Sequence, residues 1–347
     1  HCLNCNLLMQ KIIINGGCPL NGSIHISGSK NAALPIMSAC ILTNDNLELS
    51  NIPNLDDVNT MSKVLSSLGV DVNKDNISEN KMILCYKDSE QSIAEYDLVR
   101  KMRASVLVLG PLLARKREAS VSLPGGCAIG DRPVDIHIEA LQKLGAEFSL
   151  DQGYIKCKAS KGLIGCKIDF PKISVGASEN IIMAACLAKG ESQINNIAIE
   201  PEVIDLVDCL KSMGAKIELT GNRTILVQGV DEMKGTSYSI IPDRIETLTY
   251  IIAGALTAEH LLIKDIDISH IQNVLDVLLK LNINVDVRSN EISIKKSLIN
   301  ESIELDTAEF PGFPTDLQAQ MMVLMSLGKK KSIIRENIFE NRFMHVS

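Results

Sequence analysis

A chain of 347 residues exceeds the usual size of one domain, so two domains are expected. Hydrophobic residues make up 46% and aromatics only 3%, with no Trp, so the cores must be built from Ile, Leu, Val, Ala and Met. A formal charge of −7 argues against a nucleic-acid surface, which needs a basic stripe, but leaves room for anionic small molecules held by a few Arg and Lys in a cleft.

At the N-terminus, Cys2-x-x-Cys5 resembles half a zinc site, but no second pair follows at a suitable spacing, so no metal is expected. Met9 reads as the start, which makes residues 1–8 an extension without function. The charged and apolar regions of a signal peptide are missing. No apolar run approaches the roughly 18 residues of a membrane span; the best is Leu248–Ala258. Ten cysteines follow no repeating framework, and Cys40, Cys186 and Cys209 sit in apolar helical contexts. Reduced thiols in a cytoplasmic protein, with no membrane partner, fit this pattern.

One unit recurs along the chain: a helix rich in small residues, a strand, a second helix, then a Gly-containing turn into another strand. The first copy opens at Lys30-Asn-Ala-Ala-Leu-Pro, continues through the strand from Leu47 and the helix from Asp57, and closes at Gly69. The second runs from Arg103 to Gly145, the third from Ser178 to Gly214, and the fourth from Arg244 to Asn282. The turn residues are 76, 69 and 68 positions apart. Gly or Asn at each of them predicts a left-handed residue after the helix. A fifth copy begins at Asp316, passes through a strand near Ser332, and reaches Phe343–Ser347 without its second helix. The sequence therefore reads as ending inside a repeat, with on the order of 70 residues expected to follow and the second domain incomplete. On this reading the 347-residue chain by itself is expected to be inactive or poorly folded.

Three segments carry chemistry. Between Pro124 and Pro133 lie three Gly and two Pro, so this stretch is a loop. Gly125 and Gly126 give it hinge-like freedom, as a lid needs. Cys127 follows them, beside Asp131 and Arg132 rather than in an apolar stripe, and a nearby guanidinium favours a reactive thiol. The loop lacks the Gly-Lys-Ser/Thr ending of a nucleotide-binding P-loop. Lys30 and Asn31 stand where a Gly turn opens a helix, and Arg103 holds the matching place in the second copy. Cations at helix N-termini suit an anion site. Asp316, after Phe313-Pro-Thr, puts a carboxylate where the other copies carry cations, as an N-cap or a general base.

Seven motifs, in order, carry a resemblance. They are Ser27-Gly-Ser-Lys30-Asn31, Met102-Arg103-Ala-Ser, Pro124 through Asp135, Lys172-Ile-Ser-Val-Gly176, Pro242-Asp-Arg-Ile-Glu-Thr, Phe313-Pro-Thr-Asp316 and Glu340-Asn-Arg342. Together they resemble the UDP-N-acetylglucosamine 1-carboxyvinyltransferases over Met9–Val346. The resemblance implies an α/β fold of βαβαββ-like units with pseudo-threefold symmetry, in a two-domain inside-out α/β barrel. It places residues 30–240 in one domain, with residues 9–29 and 241–347 in the other.

The resemblance also implies transfer of enolpyruvyl from phosphoenolpyruvate to the 3-hydroxyl of UDP-N-acetylglucosamine, the first committed step of peptidoglycan synthesis. Cys127 would be the acid that protonates the methylene carbon, and can also form a covalent adduct. Asp316 would accept the sugar hydroxyl proton. Lys30, Asn31, Arg103, Arg132 and Arg342 would line the phosphoenolpyruvate site. Asn31, Arg103, Arg132, Pro133, Val134, Asp135, Ile136, Lys172, Ile173, Ser174, Val175, Asp316 and Ile338 would contact the nucleotide sugar. No cofactor and no obligate protein partner are implied. Two rival readings are a 5-enolpyruvylshikimate-3-phosphate synthase-like transferase and a non-catalytic paralogue that only binds the nucleotide sugar.

Overall fold

The computed structural model describes residues 13, 15–74, 80–87, 103–122, 134–151 and 154–347, the side chains of 103–105 and 122 excepted. The extension 1–8, Met9 and the loop residues Cys127, Arg132 and Pro133 lie outside them.

The repeat is present as structure. Helix α1 (Lys30–Ala39) buries every residue from Ala32 to Ala39. A helix apolar all round belongs inside a core, and its small residues let neighbours approach closely. The strand Asn46–Ser50 then alternates, with Leu47 and Leu49 inward. Helix α2 (Asp56–Ser67) follows, its first-turn Asp56 and Asp57 matching the positive end of the helix dipole. Gly69 takes φ +90° and leads into Val70–Asn73.

The later copies repeat this design. Helix α3 (Leu109–Lys116) and helix α4 (Asp135–Lys143) form the second pair. Helices α5 (Val175–Ala185) and α6 (Pro201–Ser212) form the third. Helices α7 (Arg244–Thr257) and α8 (Gln272–Lys280) form the fourth, and α9 (Gln318–Ser326) opens the fifth. Gly145, Gly214 and Asn282 adopt φ +98°, +99° and +58°. Each of the four turn residues donates its N–H to the carbonyl three residues back, at 2.9–3.1 Å. Ala146, Ala215 and Ile283 reach five residues back as well, completing the Schellman pattern. The second copy differs in one respect: Arg103–Val108 is a 3-10 helix, and the α-helix starts only at Leu109.

Each of the first four copies builds one small sheet with the same strand order, in which the last strand of the unit is central and antiparallel to both others. Connecting strands cross to a neighbouring unit and pair in parallel. Lys167–Asp169, after the second unit, joins the third unit's Glu191–Asn195. Thr236–Ser239, after the third, returns to the first unit's Asn46–Ser50. That return closes a circle of three units, with α1, α3, α5 and α6 packed inside and the sheets outside. The sheets stay separate, because each is hydrogen-bonded within its own unit and, in the first, third and fourth units, to one incoming strand, so no closed barrel forms among the described residues.

Two separate hydrophobic cores result. One gathers residues from Ala32 to Ile240, and the other gathers Ile26 with Leu248 through Met325. The chain crosses between them twice, at 26–29 and 240–243, and the crossings pair antiparallel. Ser29 N donates to Ile241 O at 2.8 Å, Asp243 N donates to Ser27 O at 2.9 Å, and Gly28 bridges Pro242. A Cβ on Gly28 would lie 1.7 Å from the Asn51 carbonyl oxygen, so only glycine fits this crossing. Gly28→Ala is expected to cost at least about 2 kcal/mol, read from urea unfolding, because backbone must move to admit one methyl group. A variant as stable as the parent would show that the crossing can yield.

Among the described residues, no helix is long and apolar enough to cross a membrane, and no group of three or more His, Cys, Asp or Glu side chains could hold a metal.

Candidate active site

Several candidate residues stand at helix N-termini: Lys30, Asp135 and Val175 each open a helix. Ser29 caps α1, its Oγ accepting from Ala32 N at 3.4 Å. Lys30 is the first residue of α1, and its Nζ lies 3.0 Å from Asp57 Oδ2, both side chains about four-tenths exposed. A surface pair of this kind contributes about 0–1 kcal/mol, so the ammonium can exchange Asp57 for an anionic ligand at little cost. Asn31 is exposed beside it.

Val134 precedes α4 and is half-buried; Asp135 opens the helix and is exposed. Ile136 is only 7% exposed and belongs to the larger core, so its side chain faces inward and its first-turn N–H, which has no partner within the helix, is what remains for a ligand. Ser174 caps α5 through Ala177 N at 3.4 Å, and accepts Ser178 Oγ on its carbonyl at 2.7 Å. Lys172 and Val175 flank it exposed, with Ile173 half-buried.

A residue the sequence reading passed over holds these segments together. Asn180 is fully buried in α5. Its Oδ1 accepts from Gly110 N at 2.5 Å, while Nδ2 donates to Val106 O at 2.8 Å and to His137 Nδ1 at 3.1 Å. One amide thus ties α5 to the Arg103–Val108 segment and to the first turn of α4. Its signal in the sequence was a Ser-Glu-Asn run inside an otherwise apolar helix.

On the other body, Asp316 sits in the 3-10 turn Thr315–Leu317, and its Oδ1 accepts from Arg342 Nη2 at 2.7 Å. Arg342 is largely sheltered and lies 5.9 Å from the Phe339 ring centroid. Ile338 directly precedes Phe339, four residues before Arg342, and its N–H donates to Glu336 Oε1 at 2.9 Å. Asp316, Ile338 and Arg342 are therefore brought to one place, with the arginine paired to the carboxylate.

Buried carboxylates join the two bodies. Arg244 Nε donates to Glu202 Oε1 at 2.9 Å, with the side chains 10% and 4% exposed. Glu200 Oε1 accepts from Phe310 N at 3.3 Å, Arg223 Nη2 donates to Phe310 O at 2.6 Å, and the Arg244 guanidinium lies 5.6 Å over the Phe310 ring. Burial, reinforced by repulsion from Glu202 and Glu200, holds the Glu179 carboxyl well above the usual carboxylate range. Burial also raises Asp243, although its carboxylate caps α7 through Ile245 N and Glu246 N at 2.9 and 3.0 Å.

Cys157, Cys186 and Cys209 are buried free thiols pushed up to about 12 by burial, and Cys40 is raised in the same way, so these four are inert.

Burial pushes Asp205 up to about 6, partly offset by the Tyr238 hydroxyl that donates to it at 2.7 Å and by Ile241 N. A raised carboxyl favours the folded state when protonated. Its contribution is full below the ordinary value of 3.8 and is lost as pH rises through about 6. Asp205→Asn is therefore expected to flatten the fall in stability between about pH 4 and 6.5, measured by urea unfolding at several pH values. An unchanged slope would remove Asp205 from the account.

A family model described as EPSP synthase (3-phosphoshikimate 1-carboxyvinyltransferase) matches residues 14–347. The UDP-N-acetylglucosamine 1-carboxyvinyltransferase of Pelagibacter ubique strain HTCC1062 is 51% identical over 341 residues, spanning 98% of this chain and 81% of that protein. That of Paramagnetospirillum magneticum is 48% identical over 345 residues, spanning 97% and 80%. Among solved structures, the enolpyruvyl transferase NikO from Streptomyces tendae superposes with a TM-score of 0.84 at 22% identity, over 93% of this chain and 76% of that one. An EPSP synthase from Acinetobacter baumannii superposes with 0.69 at 15% identity, over 93% and 75%.

Proposed function

The chain belongs to the UDP-N-acetylglucosamine 1-carboxyvinyltransferases and to the wider EPSP synthase family, and from that membership we propose which of its residues carry the reaction. It is a transferase that moves the enolpyruvyl group of phosphoenolpyruvate to UDP-N-acetylglucosamine, a step of peptidoglycan synthesis. The observation that carries this is 51% identity over 341 residues to a relative bearing that name.

In the proposed mechanism the Cys127 thiol gives its proton to the methylene carbon of phosphoenolpyruvate. Positive charge develops at the neighbouring carbon, and the sugar 3-hydroxyl adds there while Asp316 takes its proton. Loss of a proton from the new methyl group and departure of phosphate restore the double bond. Lys30, Arg103, Arg132 and Arg342 hold the phosphate and carboxylate, bidentate Arg contacts being well suited to both. Asn31, Val134–Ile136, Lys172–Val175 and Ile338 contact the nucleotide sugar together with Pro133. The 2.7 Å contact between Asp316 and Arg342 supports the pairing of base and anion site. Residues 30–240 form one domain and residues 9–29 with 241–347 the other; the two cores and the paired crossings support this division. Small phosphorylated substrates and buried free thiols support work in the cytoplasm.

Phosphate release by the full-length protein, measured with phosphoenolpyruvate and each acceptor, tests the reading. Turnover with UDP-N-acetylglucosamine and none with shikimate 3-phosphate is expected. The reverse preference would make the chain a shikimate-type transferase, and binding without turnover would make it a non-catalytic paralogue.

A further inference from the structure

Glu336 follows the short strand Ile333–Arg335 and is half-buried. Its carboxylate receives four hydrogen bonds from three separate segments. Oε1 accepts from Thr307 Oγ1 at 2.9 Å, from Ile338 N at 2.9 Å and from Phe339 N at 3.1 Å. Oε2 accepts from Thr315 Oγ1 at 2.8 Å. Thr307, fully buried, closes the set by accepting Asn337 N at 2.9 Å and Asn337 Nδ2 on its carbonyl at 3.2 Å.

The consequence is geometric. Thr315 immediately precedes Asp316 in the same 3-10 turn, and the 338–339 amides belong to the turn that leads to Arg342. Without Glu336 the two turns would still be linked through Thr307, which bonds Asn337 and bridges Phe313, and through the Asp316–Arg342 pair, but Thr315 and the 338–339 amides would lose their shared acceptor. An acceptor with both oxygens engaged by fixed donors is rigid, and hydrogen bonds to a charged group are the stronger ones. A base must be held within about 0.5 Å of its productive position to act.

We propose that Glu336 is a positioning residue of the transfer reaction, one carboxylate that sets Asp316 and the Ile338 turn in register with each other. The inference rests on the assignment of Asp316 as base and Ile338 as nucleotide-sugar contact. It goes beyond that assignment by naming a residue that touches neither substrate.

The links can be cut separately. Thr315→Val removes one hydroxyl and keeps the shape, so it loosens Asp316 alone. It is expected to lower kcat about tenfold, the loss of one charge-assisted hydrogen bond, and to leave KM for UDP-N-acetylglucosamine within about twofold. Glu336→Ala removes all four bonds and is expected to lower kcat similarly and raise that KM about tenfold, because the Ile338 turn is released as well. Glu336→Gln keeps an acceptor oxygen for the two amides and should restore KM. The double variant Thr315→Val with Glu336→Ala should have the kcat of Glu336→Ala alone, since both cut the same link. Kinetics are read on protein whose circular dichroism matches the parent; if Glu336→Ala does not fold, Thr315→Val and Glu336→Gln decide. Parental kcat and KM in folded Thr315→Val and Glu336→Gln, alongside an inactive Asp316→Ala, would overturn the positioning role while leaving the base in place. An Asp316→Ala enzyme with parental turnover would overturn the base assignment and the inference together.

Discussion

Replacing Cys127 with Ala is expected to lower kcat about 10²–10⁴-fold, the range that a positioned general acid supplies, with KM for UDP-N-acetylglucosamine within a few-fold of the parent. Protonating carbon is slow without a nearby acid, and alanine offers no proton. Serine in its place keeps the size but holds its proton far too tightly, so Cys127→Ser should fall nearly as far. The other cysteines sharpen the test. Cys40, Cys157, Cys186 and Cys209 are buried, with thiols pushed upward, and have no route to a substrate. Substituting any of these four should alter stability and leave the kinetics of the folded enzyme alone. Phosphate release by Cys127→Ala at the parental rate would refute the thiol's role as acid.

The repeat was legible because its marker is local. A helix that must turn back within one residue needs a left-handed φ there, and only Gly and Asn supply it readily, so Gly69, Gly145, Gly214 and Asn282 announce the same turn four times. The strand order within each unit is also repeated, but nothing in the alternation of Leu47 and Leu49 says which neighbour they will pair with. The return of Thr236–Ser239 to the first unit spans almost the whole of one body, and such a pairing is decided by packing rather than by sequence pattern. The 3-10 start of the second unit was missed for a similar reason. Gly110 N donates to Asn180 Oδ1, and the Val106 carbonyl four residues back accepts from Asn180 Nδ2 instead, a tertiary constraint invisible to helix propensity.

In the site, residues at helix starts were readable, since a Lys or Arg beside a Gly turn has a physical meaning on its own. Ile136 shows the limit: it follows a motif directly and was expected to contact the nucleotide sugar, yet its side chain is core. The residues that were overlooked act through partners distant in sequence. Asn180 meets Val106 and His137, 74 and 43 positions away, and Arg244 meets Glu202 at 42. A lone Glu or Asn in an apolar helix signals that a partner exists without saying which.

The Arg244–Glu202 pair carries the second large effect. Glu202→Ala would leave a guanidinium that is 10% exposed without its carboxylate, in a site where water cannot replace it. Removing one member of a buried pair typically costs about 3–5 kcal/mol, so a loss of this size is expected in urea unfolding. Glu202→Gln keeps an acceptor for Arg244 Nε and should lose less. Replacing both residues together, Glu202→Leu with Arg244→Met, should recover most of the loss, because two apolar side chains need no partner. The consequence reaches the chemistry as well. Arg244 lies over Phe310, whose N–H and carbonyl are held by Glu200 and Arg223 of the other body, six residues before Asp316. Releasing Arg244 therefore loosens the segment that leads to the proposed base, and kcat of folded Glu202→Ala should fall while the double replacement, which restores stability but not the grip on the Phe310 ring, stays slow. A Glu202→Ala protein within about 1 kcal/mol of the parent would mean that Glu200, already beside Arg244, takes over the pairing.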